Sequence, residues 1–190
     1  MPDVDQCRRR AGALWSRQFP YLVLEMPQLE WSDALALGLP AMDDLRREFV
    51  YLLEELHAAG DDALVAHRTV LIAHAEQHFA IEDGWMQATR FATSGCHRVE
   101  HKVVLQTMRE GLQQGRDGDL GRVRQLAHEL ALWFPRHVQT MDAPLAMHQR
   151  NVCFDPATGA VRLPAAAPIP PAGRRGRGHR SDRARVAESA

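Results

Sequence analysis

Three pairs of side chains carry the chemistry within reach of this chain. His78 and Glu82 stand four residues apart, His97 and His101 repeat that spacing, and His137 is followed five residues later by Asp142. On a helix, residues four apart are separated by about 40° and about 6 Å along the axis, so both side chains leave from one face. Where such faces meet inside a helical bundle, carboxylates and imidazoles can share metal ions. Taken singly, each pair is weak. The chain has ten histidines, and chance supplies roughly one histidine–acid pair at this spacing. Three pairs on consecutive helices, deep inside apolar runs where an unpaired ionised carboxylate is costly, form a pattern of another kind. The third pair is the odd one. Residues five apart diverge by about 140° on a regular helix, so Pro135, just upstream, is expected to loosen that turn.

The elements that must position these pairs are helices. Leu45, Phe49, Leu52, Leu53 and Leu56 make a one-sided apolar stripe, with Pro40 suited to the helix start and Gly60 to its stop. A second helix is predicted from about Asp61 or Asp62 to near Arg90, and a third from an N-cap at Ser94 to near Gly115. A fourth runs from about Gly118 and Asp119 to about Gln149, kinked at Pro135 and again interrupted at Pro144. No segment alternates as a strand does. Four helices with short connections imply an all-α, up-down-up-down antiparallel four-helix bundle.

Composition bounds the rest. One hundred and ninety residues at 45% hydrophobic suffice for one domain with an ordinary core. No run of about 18 apolar residues offers a membrane span, and the basic N-terminus lacks the apolar run of a secretory signal. Cys7, Cys96 and Cys153 form no CxxC pair, so a reduced, cytoplasmic setting is the default expectation, with Cys96 a small core or loop residue. Residues 171–190 carry six arginines against Asp182 and Glu188, leaving a mildly acidic body that does not suit nucleic acid. The expected organisation is an N-terminal extension over 1–29, the bundle over 30–152, and a Pro/Arg-rich disordered tail over 153–190. Met42, Met86, Met108, Met141 and Met147 read as bundle packing, and Gly84 as relief of crowding beside the acidic pair. His57, His67, His128, His148 and His179 have no partner at ligand spacing.

The order Trp31, Gly38-x-x-x-Met42-Asp43, His78-Phe79-x-x-Glu82-Asp83-x-x-Met86, His97-x-x-x-His101 and Trp133-x-x-x-His137-x-x-x-x-Asp142 resembles bacterial hemerythrin over about residues 30–150. The resemblance implies a hemerythrin-like bundle around a non-haem di-iron centre that binds dioxygen reversibly. It implies that Glu82 and Asp142 bridge the irons, that His97, His101 and His137 complete one of them, and that His78 sits on the other.

One position departs. Where the family carries a first-helix histidine, three residues after the aspartate matching Asp43, this chain has Arg46. A guanidinium keeps its proton and offers no lone pair, so it cannot ligate iron. Three outcomes stay open: two irons with one coordination position free, one iron on the three-histidine side, or His74 bending in as a substitute. Arg46 either swings outward on its long stem or excludes the second iron by charge. The cofactor expected from the resemblance is therefore two irons, or one.

Three functions follow as expectations. The first is a monomeric cytoplasmic protein, not an enzyme, that binds, stores or senses dioxygen or another small diatomic ligand, with no nucleic acid or membrane partner. The second is an iron oxidoreductase acting on peroxide, oxygen or nitric oxide through an open coordination position. The third is a metal-free interaction bundle, against which the six retained ligand positions speak.

Overall fold

The computed structural model describes residues 5–9 and 29–161. The Arg-rich segment and most of the N-terminal extension lie outside these residues. Four helices form the body: α1 (Pro40–Ala58), α2 (Leu64–Ala88), α3 (Ser94–Arg116) and α4 (Leu120–His137). Consecutive helices pack against one another, and α4 closes the ring on α1, giving the four-helix bundle expected from the periodicity.

Each helix forms where its sequence allows. Pro40 opens α1 at a position whose N–H would have no intrahelical acceptor, and the Asp119 side chain caps α4 by accepting from the Arg122 N–H at 2.9 Å. The buried face of α1 is Met42, Asp43, Arg46, Phe49, Val50, Leu53 and Leu56. Phe49, Leu53 and Leu56 of the apolar stripe lie on it, and Leu45 and Leu52 pack half-buried at its edges, because two charged residues share the face that turns inward.

The fourth helix does not simply kink. After His137 the chain makes a π-helical turn over Val138–Asp142 and then resumes as α5 (Ala143–Asn151). The Ala143 N–H reaches back five residues to the Val138 carbonyl. Pro144, without an N–H of its own, lies in the first turn of α5, where the widened spacing spares it a lost bond. Beyond α5, β1 (Phe154–Asp155) and β2 (Ala160–Val161) pair antiparallel in a small hairpin, with Phe154 opposite Val161. The first residues assigned to the tail thus have structure, and Phe154 packs on the end of the bundle.

The core falls into two apolar clusters. The larger contains Phe49, Leu53, Leu71, Phe79, Val104, Met108, Leu130, Trp133 and Phe134. The smaller contains Met42, Trp85, Met86, Leu145 and Ala146. At the far end of the larger one, α3 and α4 approach so closely that a Cβ on Gly111 would strike Leu126, and one on Gly115 would lie 2.5 Å from Val123. Gly84, by contrast, faces open space, so crowding does not account for it. Met42, Met86 and Met108 are buried as packing residues, but Met147 is 59% exposed and packs little, because it falls on the solvent face of α5.

Cys7 and Cys96 are joined by a disulfide, their Cα atoms 5.3 Å apart. Cys96 is therefore a cross-link to the short helical stretch at 5–9, not merely a small core or loop residue. The pairing spans 89 residues, and no local pattern records it. No helix among the described residues is long and apolar enough to cross a membrane.

Candidate metal centre

A polar layer separates the two apolar clusters. Along α1, Met42 belongs to the smaller cluster and Phe49 to the larger, with Asp43 and Arg46 between them. Along α2 the order is Phe79, Glu82, Trp85, and along the last helix it is Phe134, His137, Asp142, Leu145. Four helices thus deliver polar side chains to one level of the bundle.

All six residues singled out by spacing meet there, each at most 2% exposed. His97 Nε2 lies 3.4 Å from Glu82 Oε2 and 3.2 Å from Asp142 Oδ1. His101 Nε2 lies 3.3 Å from Glu82 Oε2, and His137 Nε2 lies 3.2 Å from Asp142 Oδ1. The His97 and His137 Nε2 atoms are 3.2 Å apart. His78 stands to one side, its Nε2 3.3 Å from the other Glu82 oxygen. Glu82, His97, His101 and His137 bring one donor atom each within 4.8 Å of one another.

The π turn explains how the third pair works. Residues five apart align where the backbone repeats from i to i+5, so His137 and Asp142 face the same interior point. The irregularity lies in the hydrogen-bond ladder after His137, not in a loosened turn at Pro135, through which α4 continues.

A surrounding set of groups fixes the rings. Glu100 Oε1 lies 3.2 Å from His137 Nδ1 and accepts from the Trp133 indole at 2.8 Å. Asp83 Oδ1 lies 3.1 Å from His101 Nδ1. Phe79 stacks on the His101 ring at 4.1 Å, and Trp133 lies 4.5 Å from the His137 ring. An acceptor at Nδ1 holds Nε2 free for a metal and sets the ring's orientation. The site roles of Glu100, Asp83 and Trp133 do not emerge from ligand spacing. A signal was present, since Glu100 is three residues from His97 and Trp133 four from His137, each on the same helix face as its neighbour.

Without a metal, the charges of the layer lean on one another. Burial would lower the His137 imidazole, but Asp142 and then Glu100 outweigh it and raise it to about 10. Burial opposes ionisation of Glu82 too, yet His78, His101 and His97 hold that carboxyl well below its usual range. Asp142 is lowered as well: burial and Glu82 push it up, and His137 and His97 prevail. Burial and His78 lower His74.

Two expectations about α1 are resolved. Arg46 does not swing outward; it is wholly buried and points into the layer. Its Nη2 donates to Asp43 Oδ1 at 2.5 Å, and its Nη1 lies 3.6 Å from Asp142 Oδ2. His74 does not bend in as a substitute: its Nε2 is 3.0 Å from the Leu45 carbonyl and its Nδ1 is 3.5 Å from Glu48.

The donor set fits a transition-metal ion. Glu82 Oε2, His101 Nε2 and both Asp142 oxygens are buried without a hydrogen-bond partner among the described residues, an arrangement that is costly unless something else engages them. Two donors at right angles on an ion about 2.1 Å away stand about 3 Å apart, close to the spacing found between the Nε2 and carboxylate atoms here.

Comparison with known proteins agrees with this geometry. The chain is 42% identical over 117 residues to a bacteriohemerythrin of Ralstonia nicotianae, covering 62% of this chain and 85% of that one. It is 26% identical over 126 residues to a bacteriohemerythrin of Pseudomonas aeruginosa, covering 62% of this chain and 79% of that one. No family model and no solved structure matches the chain. With most of a curated relative's length covered at that identity, and the same residues gathered in one buried layer, the chain belongs to the bacteriohemerythrin family.

Proposed function

We propose that this protein holds non-haem iron at His78, Glu82, His97, His101, His137 and Asp142 and binds dioxygen, or another small diatomic ligand, there. The observation that carries the reading is the convergence of Glu82, His97, His101 and His137 in a layer sealed by apolar side chains on both sides. The names of the relatives support iron over zinc or manganese, which the ligand types alone leave open. In this reading Glu82 and Asp142 would supply the carboxylate ligands, and a centre like the family's would hold two irons.

Iron, when bound, supplies the coordination position and the electrons that dioxygen needs. The chain supplies everything else. Glu82 and Asp142 offset the metal charge in a low-dielectric interior. Glu100 and Asp83 hold His137 and His101 by Nδ1, so that each presents Nε2. Phe49, Phe79, Trp133 and Phe134 on one side, with Met42 and Trp85 on the other, exclude bulk water from the layer. A dry pocket favours holding a ligand over reducing and releasing it. The protein in this reading is a binding protein for storage or sensing, working as a monomer; the disulfide between Cys7 and Cys96 removes the cysteine argument for a reduced setting.

The test is anaerobic reconstitution with ferrous iron followed by exposure to oxygen. A coloured adduct that forms and disappears with oxygen pressure is the expected result. Rapid peroxide consumption without an adduct would instead make the protein an oxidoreductase, and no iron uptake would remove both readings.

A further inference from the structure

Resting on the iron reading above, we propose that Arg46 takes the place of a second metal, so that the centre binds a single ion held by His97, His101, His137, Glu82 and Asp142. Each of these two carboxylates has one oxygen on the three-histidine side. Glu82 Oε2 faces His97 and His101, and Asp142 Oδ1 faces His97 and His137. Their other oxygens face the side where a second ion would be held. There Glu82 Oε1 meets His78, and Asp142 Oδ2 meets the Arg46 guanidinium at 3.6 Å. The positive charge that Asp142 Oδ2 requires is therefore already supplied by the chain.

Three features keep the guanidinium there. Its side chain is 0% exposed. Asp43 Oδ1 anchors Nη2 while also accepting from the Leu37 N–H at 2.8 Å, which ties the pair to the chain leading into α1. Nη1 faces the Asp142 carboxylate at 3.6 Å, an ionic contact between two groups shielded from water. An arginine remains protonated and donates only, so it repels a neighbouring cation and cannot become its ligand. On that side His78 and Glu82 Oε1 are the imidazole and carboxylate donors left, since His74 is engaged with Leu45 and Glu48. Five donors on the other side leave an octahedral ion one position for an exogenous ligand.

The experiment measures iron per chain on the full-length protein, reconstituted anaerobically with excess ferrous iron and desalted, alongside Arg46→His. The wild-type chain is expected to hold about one iron and Arg46→His about two. After oxidation, the wild-type centre is expected to give the EPR signal of an isolated high-spin ferric ion, which weakens in the variant as paired ferric ions couple. Two irons in the wild type would overturn the proposal, since the guanidinium would then have to leave the layer. One iron in both proteins would overturn it as well, because Arg46 would not be what sets the count. No iron in either would overturn the iron reading itself. If Arg46→His does not fold by circular dichroism, the wild-type stoichiometry and EPR signal still decide.

Discussion

The Arg46 guanidinium faces the Asp142 carboxylate from across the bundle, Nη1 3.6 Å from Oδ2, with both side chains wholly buried. One residue comes from the first helix and the other from the π turn that ends the fourth. Their opposition means that the metal-free layer is held by charge as well as by packing. Removing one partner of a buried pair leaves an uncompensated charge, which costs about 3–5 kcal/mol. Arg46→Met is therefore expected to destabilise the metal-free protein by about 3 kcal/mol. Chemical denaturation in the presence of a chelator measures this, and an unchanged midpoint would mean that the pair contributes nothing.

Glu100 touches both His137 and Trp133, and its task is to aim an imidazole. Glu100→Gln keeps the size but weakens acceptance from His137 Nδ1. The expected outcome is a loss of about 10–100-fold in metal affinity with little change in helix content. Titration with ferrous or cobaltous ion reads the first and circular dichroism the second.

The π turn is required for Asp142 to share a point with His137. Inserting an alanine after Thr140, an exposed residue within that turn, would space the pair six apart and rotate Asp142 away from His137. Metal uptake should fall sharply in the insertion and persist in Thr140→Ala, which keeps the chain length. Equal uptake by the two proteins would show that the five-residue spacing is not what aligns the pair.

Stability of the metal-free protein should depend on pH from both sides. His137 is raised from 6.5 to about 10, so its contribution is complete below about 6.5 and is lost as pH climbs through about 10. Glu82, Asp142 and Glu100 are lowered, so theirs is present above about pH 4.5 and is lost as pH falls through their depressed values. The denaturation midpoint is expected to peak between about pH 5 and 6.5. Metal uptake runs differently, since it must displace the His137 proton, and should strengthen steadily toward alkaline pH. A pH-independent affinity would contradict the protonated His137.

The disulfide can be counted. Denatured, unreduced protein is expected to show one reactive thiol, that of the exposed Cys153, and reduced protein three. Cys7→Ser should lower stability by about 2–4 kcal/mol, because the bond closes a long loop in the unfolded chain. Three thiols without reduction would show Cys7 and Cys96 to be free.

How much of this was legible in the amino acids depended on range. The four helices follow from periodicity and from local signals such as Pro40 and Asp119, each acting within a few residues of itself. The apolar stripe on α1 holds Phe49, Leu53 and Leu56 of the buried face, with Leu45 and Leu52 at its edges, but it omits Asp43 and Arg46, because apolar periodicity does not register charges that share the face. Spacing also identified the six residues of the layer. For the two i, i+4 pairs it did so because that spacing on a helix is a statement about direction in space, whereas His137 and Asp142 needed the π turn.

The sequence by itself determined which side chains could meet, since their types and their periods are written locally. Only the tertiary structure decided what they do on meeting. It turned Arg46 inward against Asp142, tied His74 to Leu45 and Glu48, set Glu100 behind His137, and joined Cys7 to Cys96. Each of these contacts links segments distant along the chain, and each energy depends on how completely water is removed from between them. Burial of that kind belongs to the packed bundle, and no single helix carries it.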